Sequence, residues 1–244
     1  MYQFFVVNEQ VTGEEIHIFD QDVNHIKNVL RMKVGEKIRI STRTGESYFC
    51  HIESLSDTEV VAGIDELDET GTELSNKIYL FQGLPKGDKI ELIIQKSVEL
   101  GVYSIIPVKM HNCVMKLDEK KAANKIARWN TIAQSAAKQS KRTLIPEVSM
   151  PMNYKEALNF AKKLDVVLLP YENEKGMQAT REVIEGIERG QSIGIFVGPE
   201  GGFAKEEIEC LEESVHRISL GRRILRTETA GLATLAMLVY KLDD

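Results

Sequence analysis

The spacing of hydrophobic residues divides the chain into two parts. Up to residue 64 the apolar residues come in short runs, and Ile38 and Ile40 alternate with the polar Lys37, Arg39 and Ser41. A period of two predicts strands with one buried face. The predicted strands are YQFFVV, EIHIF, EKIRIST, ESYFCHIESL and TEVVAGI.

One predicted helix, QDVNHIKNVLRM, interrupts these strands. Asp20 is its predicted N-cap, and Val23, Ile26, Val29 and Leu30 fall on one face at helical spacing. Short strands at close spacing with a single helix predict a small β-barrel or a rolled sheet.

From Lys77 onward, strands alternate with longer helical segments, which is typical of an α/β fold with a mostly parallel sheet. The strands are predicted in KIYLFQG, YSIIPVKM, DVVLLPYE, SIGIFVGP and VHRISLG. The helices are predicted over residues 88–100, 118–140, 154–164, 177–189, 204–214 and 227–242. The last of them, TETAGLATLAMLVYKL, is apolar nearly all round, which predicts burial on both sides or contact with another subunit.

The segment DELDETGTELSN between the two parts is polar and has no apolar period, so a linker is predicted there. The predicted domains are a β domain over residues 1–68, a linker over 69–76 and an α/β domain over 77–244.

Composition narrows the class of protein. With 244 residues, 43% hydrophobic and 28% charged, the chain can bury one large core or two modest ones. Its longest apolar run, AGLATLAML, is shorter than the roughly 20 residues of a membrane span. The start of the chain has no signal-peptide pattern, and a cytoplasmic protein without membrane contact is expected. Cys50, Cys113 and Cys210 are isolated and are expected in the core, and the histidines are scattered, so neither disulfides nor a metal is expected.

Charge is unevenly distributed. The net charge of −6 argues against a diffuse nucleic-acid binder, but residues 116–142 carry eight basic and two acidic residues, a net of +6. Residues 172–213 carry eleven acidic and four basic residues, a net of −7. Either one face meets phosphates, or both stretches are solvated helix faces.

Two loops at predicted strand ends carry the candidate chemistry. GPEGGF follows SIGIFV, and GRRILRTETA follows VHRISL. Ligands of open parallel sheets bind outside the carboxyl ends of strands, so the two loops are expected to share one pocket. GPEGGF is neither a dinucleotide fingerprint nor a Walker loop, and a simple tight turn explains its glycines equally well. The second loop adds three arginines at a helix N-terminus, which attracts anions.

These motifs together resemble a known family. FVGPEGGF and LGRRILRTETA, preceded by KGDKIELIIQKSVELGV, IIPV and RWNTIAQSAAKQSKR, closely resemble the bacterial 16S ribosomal RNA uridine-N3 methyltransferases of the SPOUT class. HIKNVLRMKVGEKI resembles the PUA-like RNA-binding domain of that family. The resemblance covers nearly the whole chain.

The resemblance implies a PUA-like β-barrel followed by an α/β domain with a deep trefoil knot, a rare exception to unknotted topology. It further implies S-adenosylmethionine as cofactor, a homodimer, and cofactor loops at 168–172, 197–202 and 220–230. The cofactor residues it implies are Leu168, Leu169, Pro170, Val197, Gly198, Pro199, Glu200, Gly201, Gly202, Leu220, Gly221, Ile224, Leu225, Arg226, Thr227, Thr229 and Ala230. Taken without the resemblance, Ile224 and Leu225 are typical core residues.

Two positions depart from the family pattern. Asn112 stands where an arginine is usual, and Lys138 stands where a glutamate is usual. Both positions lie in the region that the resemblance predicts to face RNA.

Methyl transfer is an in-line displacement, so the enzyme must align the acceptor nitrogen with the methyl group. The imide proton at uracil N3 needs a base or a cation that stabilises the anion. Arg226 is the first candidate for the cation, although phosphate binding and a structural cap suit an arginine equally well. Glu200 is a candidate base or substrate partner, and Glu228 a weaker one. Their positions at helix N-termini explain both carboxylates without catalysis.

Basic residues are the candidates for RNA contact. Phosphate contacts of this kind position RNA without reading its sequence, and an extruded uridine is what the site would read. A charge at a helix C-terminus is the structural alternative for Arg31. The candidates are Lys27, Arg31, Lys33, Lys138, Lys141, Arg142, Arg222 and Arg223.

The leading hypothesis is therefore S-adenosylmethionine-dependent methylation of uridine N3 in the decoding region of 16S rRNA, with the small ribosomal subunit as partner. One alternative is a SPOUT enzyme acting on another RNA position, such as a ribose 2′-hydroxyl or a transfer-RNA base. A non-catalytic RNA-binding assembly factor is another. A phosphate-binding enzyme of small nucleotides is weakened by the missing P-loop and metal-ligand pattern.

Overall fold

Two compact units make up the chain. The computed structural model describes residues 1–69, 71–117 and 119–243, and for residues 119–121 it describes the backbone only. One unit is Met1–Glu73 with Ala137–Ile145, and the other is Leu74–Ala136 with Pro146–Asp244. Thr70 of the predicted linker and the predicted helix start at Asp118 lie outside the described residues. The domain limits at 69–76 stay a prediction, and residues 137–145, assigned above to the α/β domain, cluster with the first unit.

The first unit is built on a six-stranded mixed sheet that forms a half-barrel. Its strands are β1 (Tyr2–Val6), β2 (Val11–Thr12), β3 (Glu15–Ile18), β4 (Lys37–Thr42), β5 (Ser47–Leu55) and β6 (Val60–Leu67). Their order is β1-β4-β5-β6-β3-β2, with β1 and β4 parallel and the other pairs antiparallel. The rolled sheet predicted from the alternation is confirmed. The two-residue strand β2 was not predicted.

Alternation explains the core of this unit. Phe4, Ile16, Ile38 and Ile52 point to the inner face and are fully or almost fully buried. Burial of each such side chain contributes about 1.5–3 kcal/mol to folding. The inward face of the half-barrel is therefore the source of its stability.

The predicted helix of this unit is real but irregular. Helix α1 (Gln21–Asn24) continues as a π-helix over His25–Val29, in which the Leu30 N–H donates to the His25 carbonyl at 2.8 Å. The wider turn changes the phase of the face, so Ile26 is buried whereas Val29 is 64% exposed. The prediction that Val29 shares the buried face is wrong for this reason.

The ends of this helix also differ from expectation. Asp20 occupies the N-cap position with a φ of 57°, and its side chain makes no capping hydrogen bond. Arg31 follows the helix in the left-handed region at φ 53°, where the chain reverses and the Met32 N–H donates to the Ile26 carbonyl at 3.0 Å. Asp20 is therefore the N-cap residue, as predicted, but it caps the helix without a side-chain hydrogen bond.

A buried polar network holds residues 141–143 against the strands of the first unit. Arg39 pairs with Asp68 and donates to the Lys141 carbonyl at 2.8 Å. Gln3 donates to the Arg142 carbonyl at 2.6 Å, and the Arg142 guanidinium pairs with Glu73. Buried charges of this kind are tolerated because each one is paired.

The second unit is an α/β fold around a seven-stranded sheet whose described pairs are parallel. Its elements are β7 (Lys77–Gly83), α2 (Lys89–Glu99), β8 (Ser104–Lys109), α3 (Glu119–Ser140, ending in the first unit), β9 (Glu147–Val148), β10 (Met152–Asn153), α4 (Tyr154–Ala161), β11 (Val166–Pro170), α5 (Gln178–Glu185), β12 (Ser192–Val197), α6 (Lys205–Glu209), β13 (Val215–Ile218) and α7 (Thr227–Leu242). The order β10-β8-β7-β12-β11-β13, with β9 beside β8, brings the carboxyl ends of β7, β12, β11 and β13 to one edge. The α/β prediction is confirmed, and the trefoil knot stays a prediction.

Helix α6 is shorter than the predicted 204–214. The Glu207 carbonyl, which would accept the Leu211 N–H in a longer helix, instead accepts from the Tyr154 hydroxyl at 3.0 Å and the Cys210 thiol at 3.3 Å. A contact from a distant helix thus ends α6 at Glu209.

No helix in the described part of the chain is long and apolar enough to cross a bilayer.

The three cysteines differ in exposure. Cys50 is fully buried, Cys113 is half-buried and Cys210 is exposed, so the prediction of a core position is wrong for Cys210. Burial, with a smaller effect of the Asp65 carboxylate, raises the pKa of the Cys50 thiol to about 12.

We predict that a thiol reagent such as Ellman's reagent modifies Cys210 rapidly in the native protein at pH 8 and modifies Cys50 only after unfolding. With its raised pKa, only about one Cys50 thiol in ten thousand is ionised at pH 8. Loss of the rapid phase in Cys210→Ser identifies the reacting residue. Native Cys50 reacting as fast as Cys210 would contradict the buried position.

Candidate functional site

A cavity of about 360 Å³ lies at the carboxyl edge of the second unit's sheet. Its walls come from three segments, each directly after a parallel strand: residues 170–174, 197–203 and 219–227. Most of the predicted cofactor residues line it: Pro170, Val197, Gly198, Pro199, Glu200, Gly202, Leu220, Gly221, Ile224, Leu225, Arg226, Thr227 and Ala230. The convergence of the two loops expected from the sequence is therefore observed.

Four of the predicted cofactor residues do not line the cavity. Leu168 and Leu169 are buried within β11, where they belong to the sheet core. Gly201 and Thr229 are exposed, and neither contributes to the wall. The cavity instead includes Lys89, which sequence reasoning missed, and Arg222 and Arg223, which were predicted to bind RNA.

The GPEGGF segment forms a tight turn. The Gly202 N–H donates to the Pro199 carbonyl at 2.9 Å, and Gly202 adopts a φ of 67°, which favours glycine. A Cβ on Gly201 would lie 2.9 Å from the Asn112 Cβ. The backbone of the turn therefore requires glycine at position 202, and the neighbouring Asn112 side chain requires it at position 201.

Asn112 anchors this turn from the loop after β8. Its Nδ2 donates to the carbonyl oxygens of Gly201 and Gly202 at 3.0 and 3.2 Å. The family pattern implied an RNA-facing position here, whereas the structure brings Asn112 against the glycine turn. The other departure, Lys138, pairs with Asp22 at 3.0 Å and lies over the Phe4 ring.

A second anchor holds the turn at Glu200. Its carboxylate accepts hydrogen bonds from the Lys86 backbone N–H at 3.1 and 3.2 Å and from the Lys89 ammonium at 2.9 Å. Partial burial alone would raise the pKa of Glu200, but these hydrogen bonds outweigh it and hold the pKa below its usual value. The hydrogen bond to Glu200 in turn raises the pKa of Lys89. Glu200 is an ionised anchor and therefore a poor proton acceptor.

Glu228 lies beside this pair but outside the cavity wall. Its Oε2 atom is 3.4 Å from the Lys89 ammonium, and its side chain is 17% exposed. That oxygen is buried and, apart from this ion pair, has no hydrogen-bond partner in the described ranges. Lys89 thus carries the positive charge that both carboxylates face.

Three guanidinium groups are available at the cavity. Arg222, Arg223 and Arg226 are exposed and make no ion pair with any described residue. Arg226 is the N-cap of α7, where its carbonyl accepts the N–H groups of Thr229 and Ala230. The guanidinium itself is therefore free to meet an anion.

The RNA candidates of the first unit divide into two groups. Arg31 and Lys33 are exposed and form no ion pair within the described ranges. The others already have partners in the fold: Lys27 with Asp57, Lys138 with Asp22, Lys141 with the Met1 carbonyl and Arg142 with Glu73. Arg142 is also almost fully buried.

No three His, Cys, Asp or Glu side chains among residues 1–69, 71–117 and 119–243 are grouped so as to hold a metal ion.

Comparison with known proteins defines the class. Residues 72–239 match the family model described as the RNA methyltransferase domain, and residues 18–65 match the RNA methyltransferase PUA domain. The chain therefore belongs to the RNA methyltransferase family, with the PUA domain that accompanies it.

Relatives along the whole chain narrow this further. Ribosomal RNA small subunit methyltransferase E of Bacillus subtilis is 38% identical over 237 residues, covering 96% of this chain and 90% of the relative. The protein of the same name from Mesomycoplasma hyopneumoniae is 35% identical, covering 95% and 96%. The crystal structure of the Neisseria gonorrhoeae enzyme of that name, bound to S-adenosyl methionine, has a TM-score of 0.85 at 32% identity and covers 98% of this chain and 97% of its own.

The supporting residues had a weak signal in the sequence. Lys89 follows β7, whose carboxyl end lies at the same sheet edge as the two loops, so the strand-end rule could have included it. Asn112 follows β8 at the same edge, so the same rule could have included it. Their contacts with the turn span 111 and 89 residues and could not be read from spacing.

We predict that Gly83→Ala destabilises the second unit by about 1–3 kcal/mol, because an added Cβ would lie 2.7 Å from the Pro199 backbone nitrogen. Urea unfolding measures the change, with the exposed Ser214→Ala as a control within about 0.5 kcal/mol of the parent. Equal stability of Gly83→Ala and the parent would show that the turn does not need this close approach.

Proposed function

We propose that the protein transfers a methyl group from S-adenosylmethionine to N3 of a uridine in the decoding region of 16S rRNA. The observation that carries the proposal is the convergence of GPEGGF and LGRRILRTETA on one cavity. It is supported by relatives named for the small-subunit ribosomal RNA and by one solved with S-adenosyl methionine bound.

The residues of the cavity fit this cofactor. A volume of about 360 Å³ is within the usual range for small-molecule sites. Gly198 and Gly202 present bare main chain, and Leu220, Ile224 and Leu225 offer apolar surface to an adenosine. The carboxylates of Glu172 and Glu174 complement the positive charge of a sulfonium ligand. When bound, the cofactor supplies an electrophilic methyl group.

The chain's own task is then to align the acceptor and to stabilise its charge. Removal of the N3 proton leaves an anion on the uracil ring. The Arg226 guanidinium at the cavity, which has no ion pair with a described residue, is suited to stabilise that anion. Glu200 acts as an anchor of the turn, because its carboxylate is ionised and already accepts hydrogen bonds from Lys86 and Lys89. In this mechanism the N3 proton passes to water. Arg226 lowers the free energy that is needed to form the uracil anion.

Arg226→Ala is expected to lower the rate of methyl transfer about a hundredfold or more while changing cofactor affinity less than threefold, because the charge it stabilises develops during reaction. Single-turnover transfer and calorimetric binding of S-adenosylmethionine separate the two effects. Arg226→Lys keeps the charge without the planar fork and is expected to fall between the parent and Arg226→Ala. Equal transfer by Arg226→Ala and the parent at saturating cofactor would remove Arg226 from the chemistry.

Among the RNA candidates of the first unit, Arg31 and Lys33 are exposed and have no ion-pair partner in the described part of the chain. The Arg31→Ala and Lys33→Ala exchanges should each weaken RNA binding and reduce the salt slope of log K by about 0.7–1, as expected for one phosphate contact. Lys27→Ala is the matched control, because Lys27 is already paired with Asp57 at 2.7 Å. A salt slope that falls as much in Lys27→Ala as in Arg31→Ala would contradict this assignment.

The reaction itself is tested by nucleoside mass spectrometry. Labelled S-adenosylmethionine is offered to small subunits lacking the modification and to naked 16S rRNA. The proposal requires 3-methyluridine at one site. A 2′-O-methylated product would favour the alternative acceptor, and cofactor binding without transfer to either RNA would favour another substrate. Absence of cofactor binding would favour the non-catalytic assembly factor.

A homodimer is part of the proposal. Helix α7 has apolar residues on nearly all sides, yet Tyr240 on it is 93% exposed, and Leu92 of the contacting helix α2 is exposed as well. Such a surface is suited to a second copy of the chain. Sedimentation at micromolar concentration tests this, and a monomer there would contradict it.

A further inference from the structure

Gln82 is a fully buried polar residue near the carboxyl end of β7. Its Nε2 donates to the Thr227 hydroxyl at 2.9 Å and to the Gly83 carbonyl at 3.0 Å. Thr227, the first residue of α7, is itself buried, and its Oγ1 lies 2.7 Å from the Gly198 carbonyl oxygen. Three residues from distant parts of the chain thus form one hydrogen-bonded chain.

The direction of this chain follows from the chemistry of its members. The Gly198 carbonyl can only accept, so the single hydrogen of the Thr227 hydroxyl goes to it. The hydroxyl can then only accept from Gln82, which requires the NH₂ group of the amide to face it. The Gly83 carbonyl requires the same orientation independently. Donation therefore runs from Gln82 to Thr227 to Gly198.

The other end of the amide has no hydrogen-bond partner among the described residues. Gln82 Oε1 is buried, and it faces Gly231 of α7, whose absent Cβ would lie 3.8 Å away. A buried, unsatisfied oxygen is destabilising, so an apolar side chain of equal size would pack here at lower cost. What the amide adds is the donor to Thr227.

The peptide that receives this hydrogen bond is at the entrance of the glycine turn. Because the next residue is Pro199, the Gly198–Pro199 peptide has no N–H, and its carbonyl is the only polar group through which the plane can be oriented. Gly198, Pro199 and Thr227 all line the cavity. Fixing this carbonyl fixes the wall against which the cofactor binds.

We propose that Gln82, which does not itself line the cavity, is a positioning residue for the cofactor site and acts through Thr227 on the Gly198 carbonyl. The assignment rests on the proposed function, since the wall that it orients is the proposed S-adenosylmethionine site. We call these three groups the Gln82 relay.

The most direct test is Gln82→Glu, which keeps the size and changes the donor. As a carboxylate the new group can only accept, so it competes with Gly198 for the Thr227 hydrogen. As a neutral acid it can donate to Thr227 and restore the direction of the relay. Burial raises the pKa of a carboxyl group, which brings this change toward neutral pH.

Calorimetric titration of the full chain with S-adenosylmethionine, without RNA, is the readout. The affinity of Gln82→Glu relative to the parent is expected to fall about tenfold between pH 6 and pH 9. Gln82→Met has no titratable group at this position. It is expected to bind S-adenosylmethionine more weakly than the parent, by a factor that does not change with pH. Glu228 of α7, Lys89 of α2 and Lys109 of β8 are titratable residues on elements that pack beside β7 or α7. They are present in all variants, so their own titration cancels in these ratios.

Two further variants cover the case in which Gln82→Glu does not fold. Thr227→Val keeps the shape and removes the hydroxyl, and about tenfold weaker binding is expected, with Thr227→Ser closer to the parent. Parent-like binding by Thr227→Val, or a Gln82→Glu to parent ratio that does not change with pH, would overturn the relay.

Failure of the proposed function gives a different result, because the parent itself would not bind S-adenosylmethionine. The relay is then judged by hydrogen exchange of the Gly202 amide, which needs no cofactor. The relay requires faster exchange in Thr227→Val than in Thr227→Ser. Equal exchange would overturn it.

Discussion

The site depends on the close packing of the GPEGGF turn against the carboxyl edge of the parallel sheet. The Pro199 nitrogen lies so near the end of β7 that a Cβ on Gly83 would come within 2.7 Å of it. Asn112 fixes the carbonyls of Gly201 and Gly202 from the neighbouring strand end, and Lys89 fixes Glu200. A turn anchored at several points loses little entropy when a ligand binds, which favours a preformed site.

Some charged groups at the cavity already have partners in the fold, and others are exposed to meet a ligand. The carboxylate of Glu200 is occupied by Lys86 and Lys89, and its pKa is lowered as a result. The guanidinium groups of Arg222, Arg223 and Arg226 are exposed and have no ion-pair partner among the described residues. Cations that are free to act and a carboxylate that is already engaged suit a reaction that generates an anion on its acceptor. The same arginines suit a polyanionic substrate.

Local patterns predicted the elements, and distant contacts decided the details that patterns missed. Helix α7 has the predicted bounds because both its apolar pattern and the loop before it are features of the neighbouring sequence. Helix α6 ends early because Tyr154, 53 residues away, takes its carbonyl, and Lys138 is engaged by Asp22, 116 residues away. The two cavity loops were visible in the sequence as glycine and arginine motifs at strand ends. The contacts of Lys89 and Asn112 with the turn were not, because only the strand order brings these residues to it.

The measurement that tests the preformed turn most directly is the exchange rate of the Gly202 amide hydrogen in the protein without cofactor. This amide donates to the Pro199 carbonyl at 2.9 Å within the turn. If the anchors hold the turn before the ligand arrives, exchange is slowed at least about a hundredfold relative to an unstructured peptide, and cofactor adds little. Exchange near the unstructured rate, with protection gained only on addition of S-adenosylmethionine, would mean that the ligand orders the turn and would contradict a preformed site.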